Sequence, residues 1–399
     1  MRDSKFAKTW LAVAALVLVP APPAHDKILH VGPDKQFKTP CQAMPHTSTG
    51  DTVEIDSAGD YKGDVCAWTA NELTLRGVGD ARAHIDAAGK SAQGKGIWVI
   101  AGNDTTVENI EFSGGTSSDQ NGAGIRQEGR NLKIRNCYFH DNQEGILAGD
   151  NPQSEILIEF SEFGYNGSGD GSTHNIYVSH VGKFTLQFSY SHHAKIGHLL
   201  KTRAAENYIQ YNRLSDEADG TASFEIDISN RGTSYVIGNV IEQGPQTDNS
   251  AIVAYGMEGP DPRNPGSQLY VINNTFVNDL PDSGTFIIMR PDISTPAIVM
   301  NNIFWGRGTV MTQRNAVMSG NLIQKDPKFV DAAHYDYRLQ PRSPALGAGT
   351  KPQPAFVHSQ YIHPACGAPR GEDTSADVGA FSATIPDERL GPARCQVKR

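Results

Sequence analysis

The stretch Tyr211-Asn212-Arg213-Leu214 sets an asparagine between a short apolar segment and a bulky residue, and the same arrangement recurs along the chain. Asparagine closes the segment at positions 109, 136, 212, 239, 274, 302 and 321, and serine does so at 161 and 189. These nine positions have a mean spacing of about 26.5 residues. A fixed period of this size is typical of a solenoid, in which each repeat packs only on its neighbours.

The segments between these positions decide which solenoid is formed. They are short, rich in β-branched and aromatic residues, and alternate with period two, as at 132–135, 184–187 and 269–272. This period predicts strands, not helices. An inward asparagine after each strand can bond the turns above and below it, so we expect an amide ladder along the stack. The predicted fold is all-β, a single-stranded right-handed parallel β-helix.

With these rungs and strands the chain resembles the pectin-lyase-like superfamily, and within it the secreted right-handed β-helix repeat proteins. The rungs lack the leucine spacing of leucine-rich repeats and the Trp-Asp signature of WD repeats, which argues against both. The segment 50–55 (GDTVEI) resembles the first coil of the superfamily, and 377–381 (DVGAF) resembles its closing segment. The resemblance implies a polysaccharide lyase or a C5-epimerase of uronate polymers.

The chain begins with the pattern of a secretory signal, residues 1–24. Lys5 and Lys8 precede a ten-residue apolar stretch from Trp10 to Val19, which is too short to span a membrane. A membrane anchor is the alternative reading. We expect the rest to form an N-terminal cap with first coils (25–94), central coils (95–328) and a closing segment (329–399), in a monomer that is secreted or periplasmic.

Charge and cysteine content fit export. The formal net charge of the 399 residues is −9, and it falls to about −11 when residues 1–24 are removed, which argues against a nucleic-acid partner. Two disulfides are predicted, Cys41–Cys66 and Cys366–Cys395, one stapling each end of the solenoid. Cys137 is expected to stay unpaired. The sequence contains neither a Cys-x-x-Cys nor a His-Glu-x-x-His motif, so no structural zinc site is expected.

Outward side chains of neighbouring coils lie about 4.8 Å apart, so a site can be sought by comparing equivalent strands. In the strand near 226, alternation predicts Phe224 inward and both Glu225 and Asp227 outward. One coil earlier, Lys201 is predicted outward, because the other register would bury it without a partner. The predicted patch comprises Arg126, Tyr177, Lys201, Arg203, Glu225, Asp227 and, on the far side, Tyr255, with His174, His198, His192, His193 and Lys195 at its edges.

Such a patch suits capture of an acidic polysaccharide and β-elimination of a uronate. That reaction needs a cation at the carboxylate, a base for the C5 proton and an acid for the leaving oxygen. Arg203 is predicted to neutralise the carboxylate, with Arg126 in support. Lys201, His198 or His174 is predicted to be the base, its pKa lowered by arginine. Tyr177 is predicted to be the acid or to combine both roles.

The β-helix lyases that the chain resembles use such Lys, Arg, His and Tyr sets, some with calcium. The sequence lacks the pectate-lyase signature around a Trp-x-Asp-His strand, so no catalytic residue is carried over by motif. No cofactor is required by the pattern, but calcium could bridge Asp170, Glu225 or Asp227 to a sugar carboxylate.

Several alternatives stay open at the level of sequence. A C5-epimerase shares the first proton abstraction with a lyase. A glycoside hydrolase could use Glu225 and Asp227 as paired carboxylates. The protein could also bind carbohydrate without catalysis, since a fold alone does not imply a reaction. In the plainest reading, Lys201 only forms a salt bridge of the wall with Glu225 or Asp227.

Overall fold

The computed structural model describes residues 27–351, 357–370 and 377–382. Most of the regular structure in these residues is parallel β-strand, in three long sheets of ten, twelve and ten strands. Successive strands pass from sheet 1 to sheet 2 to sheet 3, and each pairs with its equivalents in the coils before and after it. The predicted parallel β-helix is therefore confirmed. The proposed signal, residues 1–24, lies outside the described residues.

The strands are grouped here by sheet. Sheet 1 comprises Cys66–Trp68, Gly96–Ile100, Ala123–Gln127, Glu144–Ala148, Ile176–Val178, Lys201–Thr202, Ile226–Ile228, Ala251–Tyr255, Gly284–Met289 and Gly308–Met311. Sheet 2 comprises Ile28–Val31, Thr52–Asp56, Thr74–Val78, Thr105–Glu108, Leu132–Arg135, Asn151–Glu159, Val181–Gln187, Glu206–Gln210, Thr233–Ile237, Leu269–Ile272, Ile298–Met300 and Val317–Ser319. Sheet 3 comprises Ala83–Asp86, Ile110–Ser113, Tyr138–His140, Glu162–Gly164, Tyr190–His192, Arg213–Ser215, Val240–Gln243, Thr275–Asn278, Ile303–Gly306 and Leu322–Ile323.

Short elements flank the coils. The α-helix is Pro40–Ala43, the 3-10 turns are Met44–His46 and Ala332–His334, and the antiparallel hairpins pair Phe329–Asp331 with Asp336–Leu339 and Ser359–Ile362 with Cys366–Pro369. No helix among the described residues is long and apolar enough to cross a membrane.

The interior is built from columns of similar side chains, because the parallel register sets equivalent residues directly above one another. Phe112, Phe139 and Phe163 stack with ring centroids 4.9 Å apart. Val107 and Ile134 form part of a buried aliphatic column on sheet 2. Each large apolar side chain buried in this way contributes about 1.5–3 kcal/mol. The period-two alternation thus builds the core without any long-range motif.

The predicted amide ladder forms along the corner between sheets 2 and 3. Each side-chain nitrogen donates to the side-chain oxygen of the next rung at 2.9–3.0 Å, through Asn212, Asn239, Asn274, Asn302 and Asn321. Ser189 continues the column, and its backbone N–H donates to Asn212 Oδ1 at 3.0 Å. The ladder satisfies backbone groups that the turns would otherwise leave buried and unpaired.

The first two rungs were predicted one residue too early. Cys137, not Asn136, occupies the ladder position of its coil, and its N–H donates to Ser161 Oγ at 3.2 Å. Asn109 and Asn136 lie at the preceding turn position, with φ of 57° and 49°. Asparagine tolerates this left-handed conformation better than most residues. The same turn position is held by Tyr211 in a later coil, so it does not require asparagine.

The ends of the solenoid are closed in different ways. At the N-terminal end the Cys41–Cys66 disulfide is present, as predicted. The predicted Cys366–Cys395 pair includes Cys395, which lies outside the described residues. Cys137 is unpaired and buried. Near the C-terminus the chain folds back along the coils, where the backbone N–H of His358 donates to Tyr211 Oη at 3.2 Å.

Candidate functional site

A column of outward side chains on sheet 1 forms the centre of the candidate site. Tyr177, Lys201 and Asp227 are paired in register on three successive strands. They are neighbours because adjacent strands lie about 4.8 Å apart. Leu199 and Leu200 are both buried in the core before the chain turns Lys201 outward. The column therefore has the predicted register at Lys201.

Lys201 is held between two carboxylates. Its Nζ lies 2.6 Å from Glu258 Oε1 and 3.2 Å from Asp227 Oδ2, with 11% of the side chain exposed. Burial opposes the charge, but Asp227 and Glu258 outweigh it and raise the pKa of Lys201 above its usual value. Lys201 is therefore an ammonium ion here. The expectation that its neighbours lower this pKa and make it a base is wrong for this arrangement.

Arg203 connects the same carboxylate to the tyrosine. Its Nε donates to Tyr177 Oη at 2.9 Å, one terminal nitrogen donates to Asn230 Oδ1, and the other lies 2.5 Å from Glu258 Oε2. Glu258 thus bridges the two cations, one oxygen to each. Although burial acts against it, hydrogen bonds from Lys201 and Arg203 lower the pKa of Glu258. The site binds a carboxylate with both cations at once.

Tyr177 lies close to both positive charges. Lys201 Nζ and Arg203 Cζ are 5.8 Å and 5.7 Å from the centre of its ring, within the range of cation–π contacts. Its oxygen accepts the hydrogen bond from Arg203, which leaves the hydroxyl hydrogen available for donation. The guanidinium therefore fixes the position of the phenolic oxygen.

His174 and His198 stack on each other beside this column, with ring centroids 4.5 Å apart. Burial, followed by the nearby cations, lowers the pKa of His198 to about 3 and that of His174 well below its usual range, so both rings are neutral. His174 Nδ1 accepts the N–H of His198 at 3.0 Å, and His198 Nδ1 accepts the N–H of Phe224 at 3.2 Å. Each proton therefore sits on Nε2 and each Nδ1 lone pair is taken by a backbone N–H, so neither ring is the base that the sequence suggested.

Arg126 lies in the same column, two coils before Tyr177, next to Leu147. It faces Glu128, with Nε 3.8 Å from Glu128 Oε1. Glu144, which the sequence analysis missed, connects this part of the wall to the histidines, because its Oε2 accepts the N–H of His174 at 2.9 Å. Burial raises the pKa of Glu144 well above its usual range, although Arg126 and Lys201 act against this. Arg126 thus extends the cationic surface along the solenoid axis.

Two predicted site residues point the wrong way. Glu225 and Ile226 are both fully buried, so the strand carries two successive inward residues and strict alternation fails at Glu225. Tyr255 pairs in register with Ile228 and is buried, with its hydroxyl donating to the carbonyl of Gly232 at 2.6 Å. Neither side chain can touch a ligand on the outer face.

Three of the side chains that were predicted at the edges of the patch lie away from the sheet 1 column. His192 ends a strand of sheet 3 and lies against His193, with their Nδ1 atoms 2.8 Å apart. Lys195 pairs with Asp141 at 3.4 Å. These three side chains therefore do not join the sheet 1 column.

The loop 256–266 supplies the side chain that prediction from repeats could not find. It folds over sheet 1, where the Nδ2 of Asn264 donates to the carbonyls of Arg203 and Asn230 at 3.0 Å and 3.2 Å. The bend brings Glu258 over the two cations. The loop lies outside the repeat, so no period marked Glu258 or the role of Asn230.

The carboxylates considered for calcium do not come together. Glu225 is inside the β-helix, whereas Asp227 is outside and bonded to Lys201 and to Ser229 Oγ at 2.7 Å. Asp170 is exposed on its own loop and accepts from Ser172. These residues do not fit the oxygen cage that calcium requires, and no step of the chemistry below passes through it.

Comparison with solved structures shows the fold alone. The crystal structure of pectate lyase Pel9A is similar to this structure, with a TM-score of 0.59 and 14% sequence identity. The alignment covers 90% of this chain and 96% of that chain. The predicted parallel β-helix fold is thereby confirmed. No family model and no curated protein matches the chain.

Proposed function

We propose that this protein is an exported lyase that cleaves an acidic polysaccharide by β-elimination on the outer face of sheet 1. The observation that carries the proposal is Glu258, whose carboxylate bridges Lys201 and Arg203. A uronate carboxylate has the same charge and shape. It would take the place of Glu258 when this side chain swings away, with no change in the two cations.

The chemistry follows from that position. Lys201 and Arg203 neutralise the sugar carboxylate, which makes the C5 proton acidic. The C5–H electrons form the C4=C5 double bond, the C4–O bond breaks, and the leaving oxygen takes up a proton. Tyr177, whose oxygen accepts the hydrogen bond from Arg203, gives its hydroxyl proton to the leaving oxygen and takes up the C5 proton in its place. One tyrosine thus combines both roles, and proton and charge balance.

The remaining groups bind or orient. His198 carries its proton on Nε2, which faces Asp227 Oδ2 at 3.7 Å, beyond hydrogen-bond distance. Asp227 keeps Lys201 charged when Glu258 leaves. Arg126 lies along the column and suits the carboxylate of a neighbouring sugar unit. The pattern of three cations on one wall favours a polyanion over a neutral glycan.

The rival reactions differ in what they require. The hydrolase reading loses its carboxylate pair, because Glu225 and Asp227 lie on opposite sides of the strand. A C5-epimerase would use the same cations and proton carrier but would return the proton to the opposite face of C5. A binding protein would need the cations alone.

The test is the ultraviolet absorbance of the unsaturated uronate product, measured on a panel of uronic-acid polysaccharides. We expect a rise on one polymer that Tyr177→Phe and Arg203→Ala abolish. Tyr208→Phe and Arg76→Ala are matched controls on sheet 2, away from the site. Tyr208 stacks on Tyr235 there, and Arg76 forms an ion pair with Glu54 at a distance of 2.8 Å. Solvent deuterium entering C5 without absorbance would favour the epimerase, and retention of polymer without either change would favour the binder; both outcomes overturn the lyase.

A further inference from the structure

A second cluster of ligand-type side chains lies on the outer face of sheet 3, in the early coils and apart from sheet 1. His84, Glu111 and His140 come from three successive strands. His140 Nε2 lies 3.0 Å from Glu111 Oε1, and His84 Nε2 lies 3.8 Å from the same oxygen. One ligand atom from each residue falls within 4.8 Å of the others, which no other trio of His, Cys, Asp or Glu does in the described part of the chain.

We propose that His84, Glu111 and His140 bind a divalent transition-metal ion of the zinc type. Two imidazoles and a carboxylate are ligands that zinc and its neighbours prefer. A tetrahedral ion with bonds of about 2.0–2.1 Å holds its ligand atoms roughly 3.3–3.4 Å apart. The separations from Glu111 Oε1 to the two histidine nitrogens, 3.0 Å and 3.8 Å, lie on either side of this value. Small side-chain rotations would bring all three atoms onto one ion.

Asp141 provides an independent observation that points to a ligand. His140 Nδ1 lies 2.9 Å from Asp141 Oδ2. Metal-bound histidines nearly always donate their second ring N–H to a carboxylate or carbonyl in this way. With the Nδ1 proton directed at Asp141, His140 Nε2 faces Glu111 Oε1 at 3.0 Å. A bound ion would take the place of the proton that these two atoms share.

The surroundings leave room for an ion to enter. The side chains of His84, Glu111 and His140 are 45%, 28% and 19% exposed. Ser113 Oγ lies 2.7 Å from His84 Nε2 and could follow it or release it by rotating. The nearby guanidinium of Arg82 is directed to Asn136 instead, with donors 2.9 Å and 3.1 Å from its carbonyl and side-chain oxygens.

The three proposed ligands do not form a short zinc-binding motif in the sequence, because each lies on a different coil of the solenoid. Residues 84, 111 and 140 are spaced by the turns of the solenoid, not by a helix or a knuckle. An ion bound here would tie three coils together near the stapled end. Three protein ligands leave a fourth position for water or a ligand, as in zinc sites that remain open.

The test is titration of the purified full-length chain with Co²⁺, followed by ligand-field absorption, and with Zn²⁺, followed by calorimetry. We expect one ion per chain and loss of binding in His84→Ala and in His140→Ala. Asp141→Asn should weaken binding by roughly 10–100-fold, as changes behind a ligand do. His30→Ala is the matched control, because His30 is an exposed histidine 3.3 Å from Glu54 on sheet 2.

Binding that persists unchanged in the His84→Ala/His140→Ala double variant would overturn the proposal. So would the lack of one-to-one binding in a parent chain whose unfolding temperature shows that it is folded. In either case the His140–Glu111 contact is an ion pair only. Neither readout depends on lyase activity, so the two proposals can fail separately.

Discussion

Glu258 Oε1 lies 2.6 Å from Lys201 Nζ, although 57 residues separate the two in the chain. The contact exists because the loop 256–266 folds back over sheet 1 and is fixed there by Arg263, which is bonded to Asp150, and by Asn264. A carboxylate of the protein therefore occupies the position that we assign to the carboxylate of the substrate. A ligand must displace this side chain before it can reach both cations.

Replacing Glu258 by glutamine should make the site easier to occupy. Glu258→Gln keeps the shape but removes the charge that competes with the polymer. The side chain is 40% exposed, so its ion pairs are partly screened and each is worth about 1 kcal/mol or less. We expect KM on the responsive polymer to fall by roughly fivefold, because a free-energy difference of about 1 kcal/mol corresponds to a factor of about five in affinity.

Glu155→Gln is the control for this prediction, because Glu155 forms an exposed pair with Lys183 at 3.7 Å on sheet 2, away from Lys201 and Arg203. An unchanged or higher KM in Glu258→Gln would mean that Glu258 helps to bind the substrate and does not compete with it.

Lys201 should act as a charge and not as a base. Because Asp227 and Glu258 raise its pKa, it stays protonated at neutral pH. Lys201→Met should lower kcat by roughly 10²–10³-fold, the usual loss when one preorganised electrostatic group is removed. Lys201→Arg should keep a measurable part of the activity, since arginine carries the charge but cannot serve as a base. Equal loss in both variants, with normal unfolding temperatures, would return Lys201 to the role of base.

The sequence predicted what depends on the repeat and missed what lies outside it. Period-two alternation gave the sheets, and the cost of burying an unpaired lysine gave the orientation of Lys201. Alternation failed at Glu225, because this strand, like the preceding one at Leu199 and Leu200, enters sheet 1 with two successive buried residues, a bend that no local pattern records. Glu258 was missed because a contact made by a loop depends on where the loop folds, not on spacing.

The amide ladder should carry a large share of local stability. Asn239 Nδ2 donates to the carbonyl of Ile209 at 2.8 Å and to Asn274 Oδ1 at 3.0 Å, and its own Oδ1 accepts from Asn212. Asn239→Ala leaves these buried groups unpaired, and each costs roughly 1–3 kcal/mol. We expect a loss of at least about 2 kcal/mol in the free energy of unfolding, measured by denaturant titration.

Asn315→Ala is the matched control for the ladder. Asn315 is exposed, and its side chain donates to the carbonyl of Ser294 at 3.2 Å. A loss in Asn239→Ala no larger than in this control would mean that water replaces the ladder bonds at little cost.

The carboxylic acids of Asp216, Glu225 and Glu242 share the interior near the corner of sheets 3 and 1, and Glu225 is the most enclosed of the three. Neither of its side-chain oxygens has a hydrogen-bond partner among the described residues. Burial, then repulsion from Asp216 and Glu242, raises the pKa of Glu225 well above its usual range. Burial likewise raises the pKa of Asp216 to about 8 and that of Glu242 to about 7. The folded protein therefore holds these groups protonated where the unfolded chain does not.

This cluster should make stability fall as pH rises. In the unfolded chain these acids ionise near pH 4. Between about pH 4 and the folded pKa of about 8 at Asp216, the folded state binds more protons, so its stability declines with increasing pH. Glu225→Gln removes one such group, and we expect its unfolding temperature to exceed that of the parent by more at pH 8 than at pH 5. Glu206→Gln, an exposed wall position on sheet 2, should show no such difference. If the variant were less stable at pH 8, Glu225 would have to be ionised and paired in the folded protein, and the interior at this corner would hold a compensating cation.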